Sequence, residues 1–288
     1  MKPFSSSIEN ISDTARWVAF YRAMESERPD ALFHDPYARL LAGERGEQIT
    51  QTMPRASVAA RVTAVRTCVF DEIILRLVEN DGIDTVLNLA AGLDARPYRL
   101  PLPASLHWIE VDLLAILSYK QEKLVNEQPA CSLERVPLNL TDSVARQALL
   151  ARVGIEAQRV LVVAEGLLVY LTRDQVVSLA SDLHASLQRA WWLTALISAP
   201  QLRRFHLTLN PRLSAGNTRM QFAPAEGENF FQAYGWRCVE FRSSLEEAHR
   251  LKREMPLGWL LRLQARISAM GRRHAPGKRS GFVLLERE

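Results

Sequence analysis

Short apolar runs of strand length alternate with segments of helical periodicity from residue 85 to the end of the chain. This alternation predicts a parallel α/β sheet, because a right-handed crossover returns the chain through a helix packed on the sheet. The predicted strands are residues 85–89, 106–112, 134–138, 160–164, 191–197, 236–241 and 281–285. A Thr-x-x-Gln capping box at Thr172 predicts the start of one of the intervening helices.

The first third of the chain has the apolar spacing of helices instead. A long helix is predicted from Ser57 to Glu79, with an apolar stripe that includes Val62 and Ile73. We therefore expect residues 1–56 to form an N-terminal helical cap and residues 57–288 to form the sheet domain. Proline and glycine interrupt the pattern in the segment at about 200–230, which predicts an inserted lid over the site.

The composition excludes several classes of protein. Hydrophobic residues make up 48% and charged residues 24% of the 288 residues, as in globular proteins and unlike disordered ones. The apolar runs are too short to span a bilayer, and the first residues have no signal-peptide core, so we expect no membrane association and a cytoplasmic location. Three separated cysteines, and histidines without metal-site spacing, predict no bound metal.

The net charge of +4 is concentrated near the C-terminus, where residues 248–288 contain ten Lys and Arg against three Glu. A basic region of this kind can bind nucleic acid. Its charges are interleaved with a helical apolar pattern, which favours a solvated helix face over a nucleic-acid interface. We expect a small-molecule partner, and the sequence indicates no oligomeric state.

Two residues at predicted strand ends point to a nucleoside. Gly92 follows the first strand, and Asp112 ends the second, twenty residues later. Ligands of doubly wound sheets bind at the carboxyl ends of the strands, where an acid can accept hydrogen bonds from both ribose hydroxyls. A tight turn at Gly92 and a helix cap at Asp112 are the alternatives.

A nicotinamide dehydrogenase would share this pattern. Its full G-x-G-x-x-G is absent here, because Ala90 stands at the first glycine position and no glycine follows at the third. That loop supports a pyrophosphate at a helix N-terminus. A site for a nucleoside cofactor without a phosphate, such as S-adenosylmethionine, does not need the third glycine.

Each of the other candidate residues has both a functional and a structural interpretation. Arg66 falls within the apolar stripe of its helix, so it needs an anionic partner, either a cofactor carboxylate or an internal ion pair. Glu165 follows the 160–164 strand and either meets the ligand or is a solvated strand-end acid. Tyr170 and Tyr21 are the candidates for catalytic residues, with core packing as the alternative. Further aromatic residues that could suit an aromatic acceptor, or could pack a lid core, are Trp17, Phe205, Phe222 and Phe230.

Several ordered motifs together resemble the bacterial leucine carboxyl methyltransferase-like proteins. The matching segments are residues 13–19, 28–33 with 35–38, 91–96 with 98–100, 110–112 and 164–171. The resemblance runs from about Ser12 to the C-terminus and is weakest at 203–224 and after Leu251. It implies a Rossmann-like class I methyltransferase fold, with a mostly parallel seven-stranded sheet flanked by helices.

The resemblance also implies S-adenosyl-L-methionine as the cofactor and a set of residues that bind it. These residues are Arg16, Arg66, Ala90, Gly92, Asp112, Leu113, Asn139, Leu140, Glu165 and Gly166. The two arginines would hold the cofactor carboxylate, Asp112 the ribose, and residues 139–140 would lie beside the adenine. Asn139 replaces the usual Asp, but its amide oxygen can still accept a hydrogen bond. Ala90 replaces a common Gly, which a slightly wider loop would tolerate.

The function expected from these features is O-methylation of a carboxylate or acidic hydroxyl on a small molecule, such as a polyketide or another secondary metabolite. The sequence shows no clear general base, which favours an acidic acceptor. A cofactor-binding scaffold without activity and an NAD(P)-dependent oxidoreductase are the alternatives.

Overall fold

A computed structural model describes residues 11–53, 56–208, 219–255, 258 and 279–288 of the chain. Its helices are α1 (Ile11–Ser26), α2 (Ala38–Thr52), α3 (Ala56–Asn80), α4 (Arg96–Arg99), α5 (Leu114–Lys123), α6 (Ser143–Glu156), α7 (Arg173–Ser186), α8 (Ala199–Thr208) and α9 (Ser244–Arg250), with 3₁₀ turns at Leu168–Tyr170 and Gly227–Tyr234. Its strands are β1 (Thr85–Leu89), β2 (His107–Asp112), β3 (Ser132–Pro137), β4 (Val160–Ala164), β5 (Ala190–Leu196), β6 (Trp236–Ser243) and β7 (Gly281–Arg287).

The seven strands form one sheet in the order β3-β2-β1-β4-β5-β7-β6. Strands β1 to β5 are parallel, and β7 lies antiparallel between β5 and β6. The prediction of a mostly parallel seven-stranded sheet flanked by helices is confirmed. The strand order reverses between β1 and β4, so the loops after these strands diverge and leave a crevice for ligands at their carboxyl ends.

The two faces of the sheet pack against separate apolar clusters. One face packs with α6, α7 and a group of edge-to-face aromatic rings that includes Trp192, Phe231 and Trp236. The other packs with α3 through residues such as Phe70 and Ile73. Strands β1 and β4 are buried along their whole length, as expected of central parallel strands that are covered on both faces.

Two helix predictions are confirmed, with one correction. Helix α3 matches the predicted long helix within one residue at each end. The Thr172 hydroxyl accepts a hydrogen bond from the Gln175 amide, and the Gln175 side chain accepts one from the Thr172 amide, as a capping box requires. The apolar stripe was wrong at Val62, which is 44% exposed because the buried face of the first turns of α3 lies on Thr63 and Ala64 instead.

The N-terminal helices dock against the loop that follows β1. On α1, the buried guanidinium of Arg22 donates to Asp35 at 2.9 Å and to the Leu93 carbonyl at 2.5 Å. Arg253, which lies after α9, donates to Glu25 of α1 at 2.7 Å. The expected division at residues 56 and 57 stays a prediction. Residues 209–218 of the expected lid, and 259–278 of the basic C-terminal segment, lie outside the described residues.

Within the described ranges, no helix combines the length and apolarity that crossing a membrane requires.

Candidate functional site

Asp112 lies at the carboxyl end of β2 and is held by two backbone amides. One carboxylate oxygen accepts from the Gly92 amide at 2.7 Å, and the other accepts from the Leu113 amide at 2.7 Å. Burial raises the pKa of Asp112, and these two hydrogen bonds oppose the rise. Three residues predicted for the cofactor site therefore meet at one point, between β1 and β2.

The turn after β1 has a tight left-handed backbone. Ala90 has φ 54° and Gly92 has φ 52°, in the region that favours glycine. The backbone adopts this conformation at Ala90 in spite of the alanine side chain, and the expectation that a slightly wider loop tolerates the residue stays a prediction. Ala15 of α1 lies 3.5 Å from the point where a side chain at Gly92 would begin. The cap helix is therefore in close contact with this turn.

Arg96, a residue that sequence reasoning did not single out, organises the centre of the site. Its side chain is 2% exposed and contacts three carboxylates: Asp71 at 2.6 Å, Glu165 at 2.7 Å and Asp94 at 2.9 Å. Burial opposes the charge of Asp94, but Arg96 and the more weakly acting Lys120, Arg22 and Arg99 together outweigh it and lower the pKa of Asp94. The available signal was the Asp94-x-Arg96 pair inside the matching motif.

Glu165 follows β4 and lies between two arginines. Arg66 Nε donates to one carboxylate oxygen at 2.8 Å, and Arg96 donates to the other. Burial opposes the charge of Glu165, but Arg96 and Arg66 together lower its pKa. Gly166 beside it has φ 70°, and the Arg66 guanidinium would be 3.7 Å from a side chain there. Arg66 thus has the internal ion pair, and its contact with a cofactor carboxylate stays a prediction.

Arg16 lies on α1 and follows Ala15, which contacts the turn at Gly92. Its guanidinium carbon is 4.3 Å from the ring centroid of Tyr119, a cation–π contact. Its Nε is buried and has no hydrogen-bond partner in the part of the chain that the structure describes. The contact of Arg16 with a cofactor carboxylate stays a prediction.

Asn139 and Leu140 follow β3 at the far side of the candidate site. The Leu138 amide donates to the Asp112 carbonyl at 2.8 Å, which ties this loop to β2. The Asn139 side-chain oxygen accepts from the amide and hydroxyl of Thr141. Leu140 lines a cavity of about 210 Å³ at the starts of α6 and α7. Contacts of both residues with adenine stay a prediction.

The aromatic residues considered for the acceptor separate into two groups. Phe222 and Phe230 pack in the main core, which supports their structural reading. A second cluster, which we call the cap cluster, joins residues of α1, α2, α3 and α8 with the segment after β4. It is formed by Trp17, Tyr21, Ile49, Met53 and Met220, with partly buried Met24, Ala56, Ala59, Ala60, Val169, Tyr170, Leu202 and Phe205 packed against it.

Comparison with known proteins identifies relatives of this chain. A model of the leucine carboxyl methyltransferase family matches residues 15–184. A Mycobacterium protein named "Putative S-adenosyl-L-methionine-dependent methyltransferase" is 33% identical over 73% of this chain and 71% of its own length. A Parafrankia protein of similar name is 36% identical over 60% of this chain, and the match spans 58% of its length, less than two thirds.

Solved structures show the same fold at low sequence identity. A DUF574 family protein from Streptomyces avermitilis superimposes with a TM-score of 0.61 at 14% identity, covering 96% of this chain and 97% of that one. A protein from Thermobifida fusca, described as a methyltransferase, gives 0.56 at 13% identity and covers 99% and 97%.

The fold is that of the class I methyltransferases. The chain belongs to the leucine carboxyl methyltransferase family, so the predicted family is confirmed. The names of the relatives also confirm the predicted cofactor, S-adenosyl-L-methionine, for this family.

Proposed function

We propose that this protein is an S-adenosylmethionine-dependent O-methyltransferase acting on a carboxylate or acidic hydroxyl of a small molecule. The observation that carries the proposal is Asp112, whose carboxylate is fixed at the end of β2 beside the left-handed Ala90–Gly92 turn, which follows β1, one of the two strands between which the order reverses. A carboxylate in that position suits the paired hydroxyls of a ribose.

The residues present fit the cofactor. Asp112 would accept from the ribose hydroxyls through the lone pairs that its two amide contacts leave available. The Arg16 Nε, buried without a partner in the described chain, would donate to the cofactor carboxylate. The close turn at Gly92 would leave room for the methionine portion beside the backbone. When bound, S-adenosylmethionine supplies a methyl group already activated by its sulfonium.

The ionisable groups near the expected acceptor favour an acidic substrate. Burial raises the pKa of Tyr170 and raises that of Tyr21 to about 12, so both remain protonated near neutral pH. Glu165 is held as a carboxylate by two arginines and is a poor base. An acceptor that is already an anion needs no proton removed, so the protein has only to orient it and exclude water. The cap and the lid would enclose it.

The structure argues against the dehydrogenase alternative. The helix after β1, α4, has only four residues and begins at Arg96, whose side chain points into the ion-pair network. A dinucleotide site uses a longer helix whose N-terminus faces the pyrophosphate. Strand β7, antiparallel between β5 and β6, also departs from the all-parallel order of dinucleotide-binding sheets.

Calorimetry on the ligand-stripped protein tests the proposal. We expect S-adenosylhomocysteine to bind and NAD(P) not to bind. Asp112→Ala should weaken the binding of S-adenosylhomocysteine about tenfold or more, because hydrogen bonds to a charged group contribute about 1.5–3 kcal/mol. Asp81→Asn, before the opposite end of β1, is the matched control and should bind as the wild type does.

The outcomes separate the three functions. Absence of heat with S-adenosylhomocysteine, or undiminished affinity in Asp112→Ala, would overturn the proposal. Binding of NAD(P) would favour the oxidoreductase. Cofactor binding without methyl transfer to any member of a panel of carboxylic acids and phenols would favour the inactive scaffold.

A further inference from the structure

Two neighbouring side chains on α1 carry polar atoms that the protein leaves without a hydrogen bond. Trp17 and Tyr21 are four residues apart, so they lie on one face of the helix, with ring centroids 5.4 Å apart. Trp17 is 7% exposed and Tyr21 is 1% exposed. The Trp17 Nε1 and the Tyr21 Oη have no hydrogen-bond partner among the described residues.

An unpaired buried donor is unfavourable, and native proteins rarely retain one without a reason. Trp108 and Trp192 also have unpaired indole N–H groups, but they lie in different clusters of the sheet core. Trp17 and Tyr21 differ because their two polar atoms are close together. The Trp17 N–H lies near enough to the Tyr21 hydroxyl to lower its pKa, although the two form no hydrogen bond.

The pair lies in the cap cluster, which adjoins the candidate site. Tyr170 belongs to this cluster, and the positive charge of Arg66 acts on it, partly offsetting the effect of burial. Arg66 in turn donates to Glu165 at 2.8 Å. Trp17 and Tyr21 therefore share a cluster with Tyr170, which lies in the same segment after β4 as Glu165 of the candidate site.

Both groups carry a proton near neutral pH and can donate a hydrogen bond. An indole N–H has no lone pair to accept a hydrogen bond. Burial raises the pKa of Tyr21 to about 12, against the smaller effect of Trp17, so its hydroxyl keeps its proton. Neither group can serve as a base. Two adjacent donors in apolar surroundings suit one oxygen atom of a ligand.

We propose that Tyr21 Oη and Trp17 Nε1 together bind one oxygen of a planar, largely apolar carboxylate, the methyl acceptor. The inference rests on the proposed function and specifies its substrate class. One carboxylate oxygen is held by the two donors, which leaves the second oxygen to face the methyl group. The positive charge of Arg66 favours the anion. Phe205 and Met220, on the lid side of the cluster, supply an aromatic face and an adaptable thioether for the apolar body.

The test uses the full-length protein and the variant Tyr21→Phe, which removes only the hydroxyl oxygen. Without ligand, the variant should melt at the same temperature or about 1–3 °C higher, because an unpaired buried hydroxyl is lost. With saturating S-adenosylhomocysteine, calorimetry should show 2-naphthoate binding to the wild type about tenfold or more tightly than to the variant. Loss of a purely structural role would not lower naphthoate affinity while leaving the melting temperature unchanged or higher.

Two controls accompany this measurement. Tyr37→Phe removes a hydroxyl that is bonded to Glu127 outside the cap cluster, and it should leave naphthoate affinity unchanged. The neutral analogue 2-naphthylmethanol should bind the wild type more weakly than 2-naphthoate does.

A lower melting temperature for Tyr21→Phe, equal naphthoate affinity in both proteins, or no naphthoate binding to the wild type would overturn the inference. Binding of S-adenosylhomocysteine in the same samples keeps this failure distinct from failure of the proposed function.

Discussion

Replacing Arg96 with methionine removes the charge at the centre of the site while keeping a side chain of similar length. Arg96 is almost fully buried and contacts Asp71, Asp94 and Glu165 at 2.6–2.9 Å. The substitution therefore leaves three largely buried carboxylates without their shared cation. Breaking a buried ion pair by removing one partner typically costs about 3–5 kcal/mol.

The remaining contacts place the expected cost at the lower end of that range. Asp71 keeps two hydrogen bonds from Arg99, each 2.8 Å long, and Glu165 keeps its bond from Arg66. Asp94 keeps a bond from the Asn88 amide at 2.9 Å. We expect Arg96→Met to lower the free energy of unfolding by about 3 kcal/mol at pH 7.5.

The cost should also depend on pH. In the wild type the pKa values of Asp94 and Glu165 are lowered, so their stabilising contribution is present above the unfolded pKa and is lost as the pH falls through the folded pKa. Without Arg96 both pKa values should rise, and protonation then relieves the unpaired charge. The difference between variant and wild type should therefore shrink between pH 7.5 and pH 5.

Urea unfolding followed by circular dichroism at both pH values measures this difference. The control is Arg152→Met, which breaks an exposed pair with Glu134 and should cost less than about 1 kcal/mol. A loss below about 1 kcal/mol for Arg96→Met, or a loss that does not change with pH, would refute the assigned role of the arginine.

Three further substitutions test local features. Ala90→Gly should raise the melting temperature slightly in calorimetry. Glycine removes about 1–2 kcal/mol of left-handed backbone strain, which exceeds the cost of about 0.5–1 kcal/mol from the greater entropy of the unfolded chain. A lower melting temperature would contradict the left-handed conformation of Ala90. Thr172→Ala should lose about 1 kcal/mol in urea unfolding through loss of the capping box, and an unchanged midpoint would contradict it. Lys120→Met should lose about 3 kcal/mol in the same assay, since Glu110 beside it is fully buried; a neutral effect would show that Arg135 alone suffices.

Most of the sheet could be predicted because its central strands are short, mainly apolar runs. Val160–Ala164 and Thr85–Leu89 are bounded by polar and turn residues, so their ends were correct to the residue. Periodicity contains no information on which strands pair. The antiparallel insertion of β7 between β5 and β6 was therefore not predicted, and the family resemblance implied only a mostly parallel seven-stranded sheet.

The sequence could predict only those parts of the candidate site in which a residue is positioned by the end of its own strand. Asp112 and Gly92 satisfy that condition, because adjacent parallel strands bring their carboxyl ends together. Arg96 could not be predicted in this way, because its partners come from α3, the loop after β1 and the loop after β4. The spacing of residues in the sequence does not show that these three segments are in contact. The partner of Arg66 was ambiguous for the same reason.

Ion pairs connect the segment before α2 to the segments that follow β1 and β4, with each arginine placed between two carboxylates. Asp35, before α2, lies 3.9 Å from Arg99, and Arg99 also contacts Asp71. Asp71 in turn contacts Arg96, which also contacts Glu165. Each arginine in the series is shared between carboxylates from different elements, so displacement of the cap would leave buried charge behind at the turn after β1. A ligand that binds only the assembled site therefore stabilises the docked cap as well, since both depend on the same arginines.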